Sequence, residues 1–189
     1  GTPVEYTQGI PAWVFTSVSI RDTLFVGGTF DAIEYATQTN PDTVVQAENI
    51  AMYDEVHKKW SALIGSAGIV ANGIHALAID TNSRVLYIGG WFTNGVAKWD
   101  IKNQSWINIT NFEVNGPVES LLLLNNNLFI GGAFSSVSGE SSPRYLNIAQ
   151  WNIQSLSWDT VGAGVGNANE YFDEVFTMSN DSLGNIYVG

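Results

Sequence analysis

Apolar and polar positions alternate along this chain in short runs, and one run recurs. Leu24-Phe25-Val26-Gly27-Gly28-Thr29-Phe30, Leu86-Tyr87-Ile88-Gly89-Gly90-Trp91-Phe92 and Leu128-Phe129-Ile130-Gly131-Gly132-Ala133-Phe134 share an apolar, aromatic, apolar, Gly, Gly, x, Phe pattern. A further copy begins at Ile186-Tyr187-Val188-Gly189. Self-similarity at such intervals marks an internal repeat, and the remaining residues align on it.

Before each Gly-Gly lies an apolar run and a polar turn: Ser17 to Ile20 then Arg21-Asp22-Thr23, Ala76 to Ile79 then Asp80 to Arg84, Leu121 to Leu124 then Asn125 to Asn127. Val175 to Met178 followed by Ser179 to Asn185 reads the same way. Asn, Asp, Gly and Ser tolerate left-handed backbone, so each unit predicts a hairpin, strands A and B. After each Gly-Gly come Asn49-Ile50-Ala51-Met52-Tyr53-Asp54, Gly95-Val96-Ala97-Lys98-Trp99-Asp100 and Asn147-Ile148-Ala149-Gln150-Trp151-Asn152. An aromatic at 53, 99 or 151 is followed by a tryptophan at 60, 106 or 158, a constant interval. Two strands joined by a short turn, each with a bulky ring in a cross-strand pair, explain that interval. These are strands C and D. The long stretch from Asp31 to Glu48, between strands B and C of the first unit, reads as an inserted loop.

Four antiparallel strands per unit of this length predict an all-β protein, a β-propeller of four-stranded blades. Blades span about 13–67, 74–112 and 118–166, and a partial fourth covers 174–189. The whole of 1–189 is then one propeller segment of about three and a half blades. Open edges at both ends predict that it belongs to a longer polypeptide, or is closed jointly with neighbouring chains. Phe30, Phe92 and Phe134, with Trp60, Trp106 and Trp158, are expected to fill the gaps between blades. Alternation makes Trp91 the more exposed of the pair Trp91 and Phe92.

The Gly-Gly closing strand B, followed by an aromatic and then a spaced Trp, resembles the kelch-type blade. The longer form, Gly-Gly-x-Phe with Asn-Ile-Ala-x-Trp-Asp and a following Trp, is similar to repeats of fungal cortical cell-polarity markers and related surface proteins. The resemblance implies a propeller and a place at a cell surface or outside the cell. Tyr53 replaces the Trp in the first unit, and Gly95-Val96 replaces Asn-Ile in the second. Strand D of the second unit, Trp106 to Ile109, lacks the glycines that follow Trp60 and Trp158.

Composition narrows the chemistry. The net charge is −11, and the 7 Lys and Arg form no cluster larger than the pair Lys58-Lys59, which argues against nucleic-acid binding. No apolar run is long enough to span a bilayer. There is no Cys, and only His57 and His75 are present, so no metal-ligand spacing is legible and no cofactor is implied. No nucleophile-base-acid order is legible either, and the chain reads as a non-enzyme. Gly162-Ala163-Gly164-Val165-Gly166 lacks the dinucleotide spacing and reads as a turn. Asp80 to Ser83 and Asn180 to Ser182 read as β-turns rather than calcium loops. Sequons at Asn103, Asn108 and Asn180 make N-glycosylation and a glycoprotein possible outcomes.

Strand direction places the B–C loops and the strand A entries on one face. That face carries the candidate binding residues Trp13, Tyr35, Asp42, His75, Glu119, Arg144, Tyr145, Tyr171, Asp173 and Glu174. The function expected is a non-enzymatic interaction or structural scaffold of a cell-surface or extracellular protein. Its partners would be other proteins or further parts of the same polypeptide, including self-association through open blade edges. A carbohydrate-binding, lectin-like propeller is the alternative. An enzyme would need a composite site with residues outside this chain.

Overall fold

The computed structural model describes residues 12–35, 40, 43–63, 65, 73–108, 110–140, 145–166 and 173–189. They form an all-β structure of three four-stranded antiparallel sheets and two smaller hairpins. The first unit runs β1 (Trp13–Ile20), β2 (Thr23–Thr29), the inserted pair β3 (Ala32–Tyr35) and β4 (Thr43–Gln46), then β5 (Ile50–Asp54) and β6 (Lys59–Ala62). Its sheet has the order β1-β2-β5-β6. The second comprises β7 (Ile74–Asp80), β8 (Val85–Gly90), β9 (Val96–Asp100) and the two-residue β10 (Ser105–Trp106). The third comprises β11 (Val118–Leu124), β12 (Asn127–Gly132), β13 (Ile148–Asn152) and β14 (Ser157–Thr160). A hairpin of β15 (Met178–Asn180) and β16 (Ile186–Val188) follows. Among the described residues no helix is long and apolar enough to cross a membrane.

The paired aromatics stand where their spacing predicts. Tyr53 faces Trp60, Trp99 faces Trp106 and Trp151 faces Trp158 across neighbouring strands. Their ring centroids lie 5.0 Å apart in all three sheets. The turns between those strands are set by Asp54, Asp100 and Asn152. In each, Oδ1 accepts the backbone N–H groups two and three residues on, which closes the turn locally.

The Gly-Gly pairs have two separate causes. A Cβ on Gly27, Gly89 or Gly131 would lie 2.5 Å from a methyl of Ile74 on β7, Val118 on β11 or Val175, which leads into β15. The first glycine is therefore the seat of the neighbouring sheet. A Cβ on Gly28, Gly90 or Gly132 would lie 1.8, 2.3 or 2.1 Å from the carbonyl oxygen of Trp13, Gly73 or Pro117 in its own sheet. The second glycine admits backbone, because the first strand bulges there. Pairing slips between Val14 and Thr16, between Ile74 and Ala76, and between Val118 and Ser120. The first strands of successive units pack on one another, β1 on β7 and β7 on β11, with β15 following β11.

Three expectations change in the structure. The insertion from Asp31 to Glu48 holds a hairpin of its own, with Ala32 pairing with Gln46 and Tyr35 with Thr43. Ile33 and Val45 pack from it onto Val26, Phe30, Ala47 and Ala51. The deepest tryptophans are Trp99 and Trp151 on the third strands, and Trp60, Trp106 and Trp158 are half-buried. These three lie at the outer strand, which water reaches on one side. Gly95 is not a departure in kind. Asn49, Gly95 and Asn147 have φ of 64°, 66° and 60°. Each carbonyl accepts the N–H of the second glycine in its unit, so the position selects a residue at ease in left-handed backbone.

Candidate functional site

A bulge puts two residues of one strand opposite one of its partner and re-aims a side chain. The bulged residues are Phe15 in the first sheet, His75 in the second and Glu119 in the third. Phe176 takes the position in the last hairpin, where its N–H and that of Thr177 both donate to the Gly189 carbonyl. Because the first strands pack on one another, Phe15, His75 and Glu119 come together from separate repeats.

The ring of Phe15 lies 4.6 Å from that of His75, centroid to centroid. On its other side His75 stacks on Trp91, at 5.3 Å and 7° between planes. His75 Nδ1 lies 2.7 Å from Glu119 Oε2, and Trp91 Nε1 donates to Glu119 Oε1. Both oxygens of one carboxylate thus hold two stacked rings. Glu119 is nearly covered, with a side chain 10% exposed, while Phe15 and Trp91 are 45% and 44% exposed. Burial pushes the Glu119 carboxyl up. The hydrogen bonds from His75 and Trp91 and the attraction of His75 outweigh it, so the group lies below its usual range. The result is a rigid aromatic step on a buried anion.

Of the predicted face residues, His75 and Glu119 meet in this cluster. Trp13 precedes the first bulge on the exposed side of β1. Tyr35 ends β3, half-buried. Asp173 and Glu174 lead into Val175 and are half-buried. Tyr145 is a correction: at 4% exposure it belongs to the core, packed with Phe134, Val137 and Trp151. The third-unit insertion folds its aromatic residue inward because the space beside Phe134 is apolar. Asp42, Arg144 and Tyr171 lie outside the described residues.

Phe15 and Trp91 are the members that the predicted face omits. The exposure of Trp91 over the half-buried Phe92 was legible from alternation. The equivalence of Phe15, His75 and Glu119 was masked by turn length. The first and third A–B turns have two residues, Arg21-Asp22 and Asn125-Asn126, and the second has four, Thr81 to Arg84.

Other candidate chemistry resolves into structure. Asp80 accepts from the N–H groups of Asn82 and Ser83 and from the Ser83 hydroxyl, and Asp181 accepts from Leu183, Asn185 and Tyr187. Both carboxylates serve turns. Gly162, Gly164 and Gly166 all have positive φ in the bend after β14. Among the described residues no three of His, Cys, Asp and Glu come together as metal ligands. The sequon residues Asn103, Asn108 and Asn180 are exposed. Asn103 donates its side-chain N–H to Asp100, and Asn180 ends β15 rather than sitting in the turn.

No protein-family model and no curated protein matches this chain. Among solved structures it is similar to the extracellular domain of the putative hybrid two-component system BT4673 from B. thetaiotaomicron. The TM-score is 0.58 at 13% identity over 94% of this chain. This chain spans 19% of that one, about a fifth of its length. It is also similar to the computationally designed Ika4 protein, with a TM-score of 0.51 and 12% identity over 96% of this chain and 93% of that one. At these identities the likeness is one of fold.

Proposed function

We propose that the chain is a sector of a kelch-like propeller, serving as a non-enzymatic binding scaffold of a cell-surface or extracellular protein. The cluster of the bulged residues Phe15, His75 and Glu119 with Trp91 is its contact face. The observation that carries this reading is the double hold of Glu119 on His75 and Trp91. Rings already fixed lose little entropy when a partner covers them, and fixed, half-exposed aromatic residues are the usual anchors of protein contacts. The propeller part rests on three sheets of one plan that pack through their first strands. The cell-surface part rests on the kelch-like repeat resemblance and on the extracellular domain among the similar structures.

A further sheet of the same kind fits the outer side of β1. Ile74, Val118 and Val175 are fully buried on the first glycine of the preceding unit, whereas Val14 at the same position is 63% exposed. Such a sheet comes from the same polypeptide or from another copy.

A sugar ligand is the second reading, favoured by the exposed rings beside a carboxylate. Against it, both Glu119 oxygens already accept hydrogen bonds, which leaves fewer acceptors for sugar hydroxyls. The test is to pan a random peptide library on the protein and counter-select on Trp91→Ala. Peptides that bind wild type and lose the variant support a protein-contact face. Peptides indifferent to Trp91 overturn it, and a Trp91-dependent signal on a glycan array moves the assignment to sugar.

A further inference from the structure

The tight turns lie at the other end of the strands from the bulges. There, between the first and second sheets, a cleft of about 290 Å³ opens. Ile20, Val56 and Ile101 supply apolar walls, and Arg21 and Arg84 line it from the β1–β2 and β7–β8 turns. The chain has 7 Lys and Arg against 18 Asp and Glu. In so acidic a protein an arginine ordinarily finds a carboxylate. Yet neither Arg21 nor Arg84 makes an ion pair or a side-chain hydrogen bond among the described residues.

Neither acid that lines the cleft, Asp22 or Asp54, forms an ion pair with these arginines. Asp54 is committed to its own turn: Oδ1 accepts from the N–H groups of Val56 and His57, and Oδ2 lies 2.7 Å from His57 Nδ1. Asp22 also lines the cleft, as the neighbour of Arg21. The backbone adds a second observation. Arg21 and Arg84 have φ of 52° and 56°, where the third sheet uses Asn125 and Asn126 at 51° and 61°. Asparagine suits left-handed backbone better than arginine does. Both turns forgo the easier residue and present a guanidinium to the same cleft.

We propose that this cleft binds a small organic oxyanion, a carboxylate or phosphate carried on a body of about monosaccharide size, held by the Arg21 and Arg84 forks. Two guanidinium groups match such an anion through paired N–H donors. The cleft volume lies near the lower end for small-molecule sites, which limits the ligand to that size. Ile20 and Ile101 would take its apolar edge. The third sheet has Asn125 and Asn126 in the equivalent turn, so the junction of the second and third sheets has no matching pair.

The test is an NMR titration of the Arg21 and Arg84 Nε–H signals in the full chain, at constant ionic strength set with chloride. The probes are acetate, glucuronate and inorganic phosphate. Both arginine signals should move together and saturate in the millimolar range. Glucuronate should bind more tightly than acetate, because its ring reaches the apolar wall. The acetate and phosphate arms tell which head group the forks prefer. Arg84→Asn and Arg21→Asn keep a residue suited to each turn, and each should weaken binding about ten-fold or more. Asp22→Asn should tighten it, and Trp91→Ala should leave it unchanged, which separates this site from the cluster at the bulges. Shifts that stay linear with every probe, or that involve one arginine alone, overturn the proposal. So does an unchanged affinity in a folded Arg84→Asn protein.

Discussion

At the junction of the first and second sheets, Gly27 receives Ile74, and Phe25, Leu77, Leu86 and Trp99 fill the space around them. At the junction of the second and third, Gly89 receives Val118 in the same way. There the space holds Lys98, 4% exposed, where the first sheet has Met52. The Lys98 ammonium lies 3.9 Å from the Phe112 ring centroid, 4.8 Å from that of Trp151 and 5.2 Å from that of Tyr87. No carboxylate pairs with it among the described residues. Ring faces offer part of what water offered, about 2 kcal/mol for a desolvated cation. Burial draws the Lys98 amine down to about 8 and pushes the Tyr87 hydroxyl up to about 12, where the charge of Asp80 adds to the effect. The two junctions share a glycine seat and differ in what the open position between Ala and the aromatic supplies. The repeat thus sets where neighbouring sheets touch, and leaves the polarity of the filling free.

The hardest way to break either junction is to fill its seat. Gly27→Ala and Gly89→Ala should each cost about 3 kcal/mol or more in urea unfolding, since each Cβ meets a buried methyl at 2.5 Å. Equal losses would confirm one plan, and a tolerated Gly89→Ala would show that the second junction is the looser. Of comparable size, Trp99→Ala and Trp151→Ala should cost about 3–5 kcal/mol each. Trp151→Ala also removes a wall of the Lys98 cage, so only that variant should shift the amine in a direct NMR titration.

Lys98→Met makes the second junction resemble the first. It should stabilise the protein at pH 7 by about 1–2 kcal/mol, less than the full desolvation cost because the cation–π contacts are lost. The pH dependence follows from the lowered amine. Between about 8 and the usual 10.5 the unfolded chain holds a proton that the folded chain has released. Wild-type stability therefore rises with pH across that window, and Lys98→Met should flatten the rise. A wild-type curve that falls there would contradict the cage.

Glu119→Gln should cost about 1 kcal/mol and change Trp91 fluorescence, as the hold on both rings weakens. With its folded value lowered, the Glu119 contribution is complete above the ordinary 4.5 and is lost as acid titrates through the lower folded value. The smallest effect is expected at the exposed face. Val14→Ala should change stability by about 0.5 kcal/mol or less, whereas Val118→Ala, fully buried, should cost about 1.5–3 kcal/mol. A large loss for Val14→Ala in the purified chain would mean that this face is covered in solution, and light scattering would then report the partner copy.

Local pattern was enough for the sheets. The ring pairs Tyr53–Trp60, Trp99–Trp106 and Trp151–Trp158 and the hairpins before each Gly-Gly are set by neighbours in sequence, through period-two alternation and turn chemistry. Even the greater exposure of Trp91 over Phe92 follows from that period. The inserted hairpin of β3 and β4 was missed because its two strands are short and far apart in the insertion. Tyr145 was misplaced because an aromatic in a loop is as compatible with a rim as with a core until its neighbours are known.

What the amino-acid sequence determined by itself was the repeat, its strands, and the presence of two glycines at each close approach. Which glycine meets backbone and which meets the next sheet was decided by stacking, as Val14, Ile74 and Val118 show. Stacking also decided that Phe15, His75 and Glu119, from three repeats, form one row, and that Lys98 lies among rings rather than in water. The physical reason is range. Strand and turn preferences act over a few residues, whereas contacts between sheets join residues dozens apart, through a geometry that no single repeat contains.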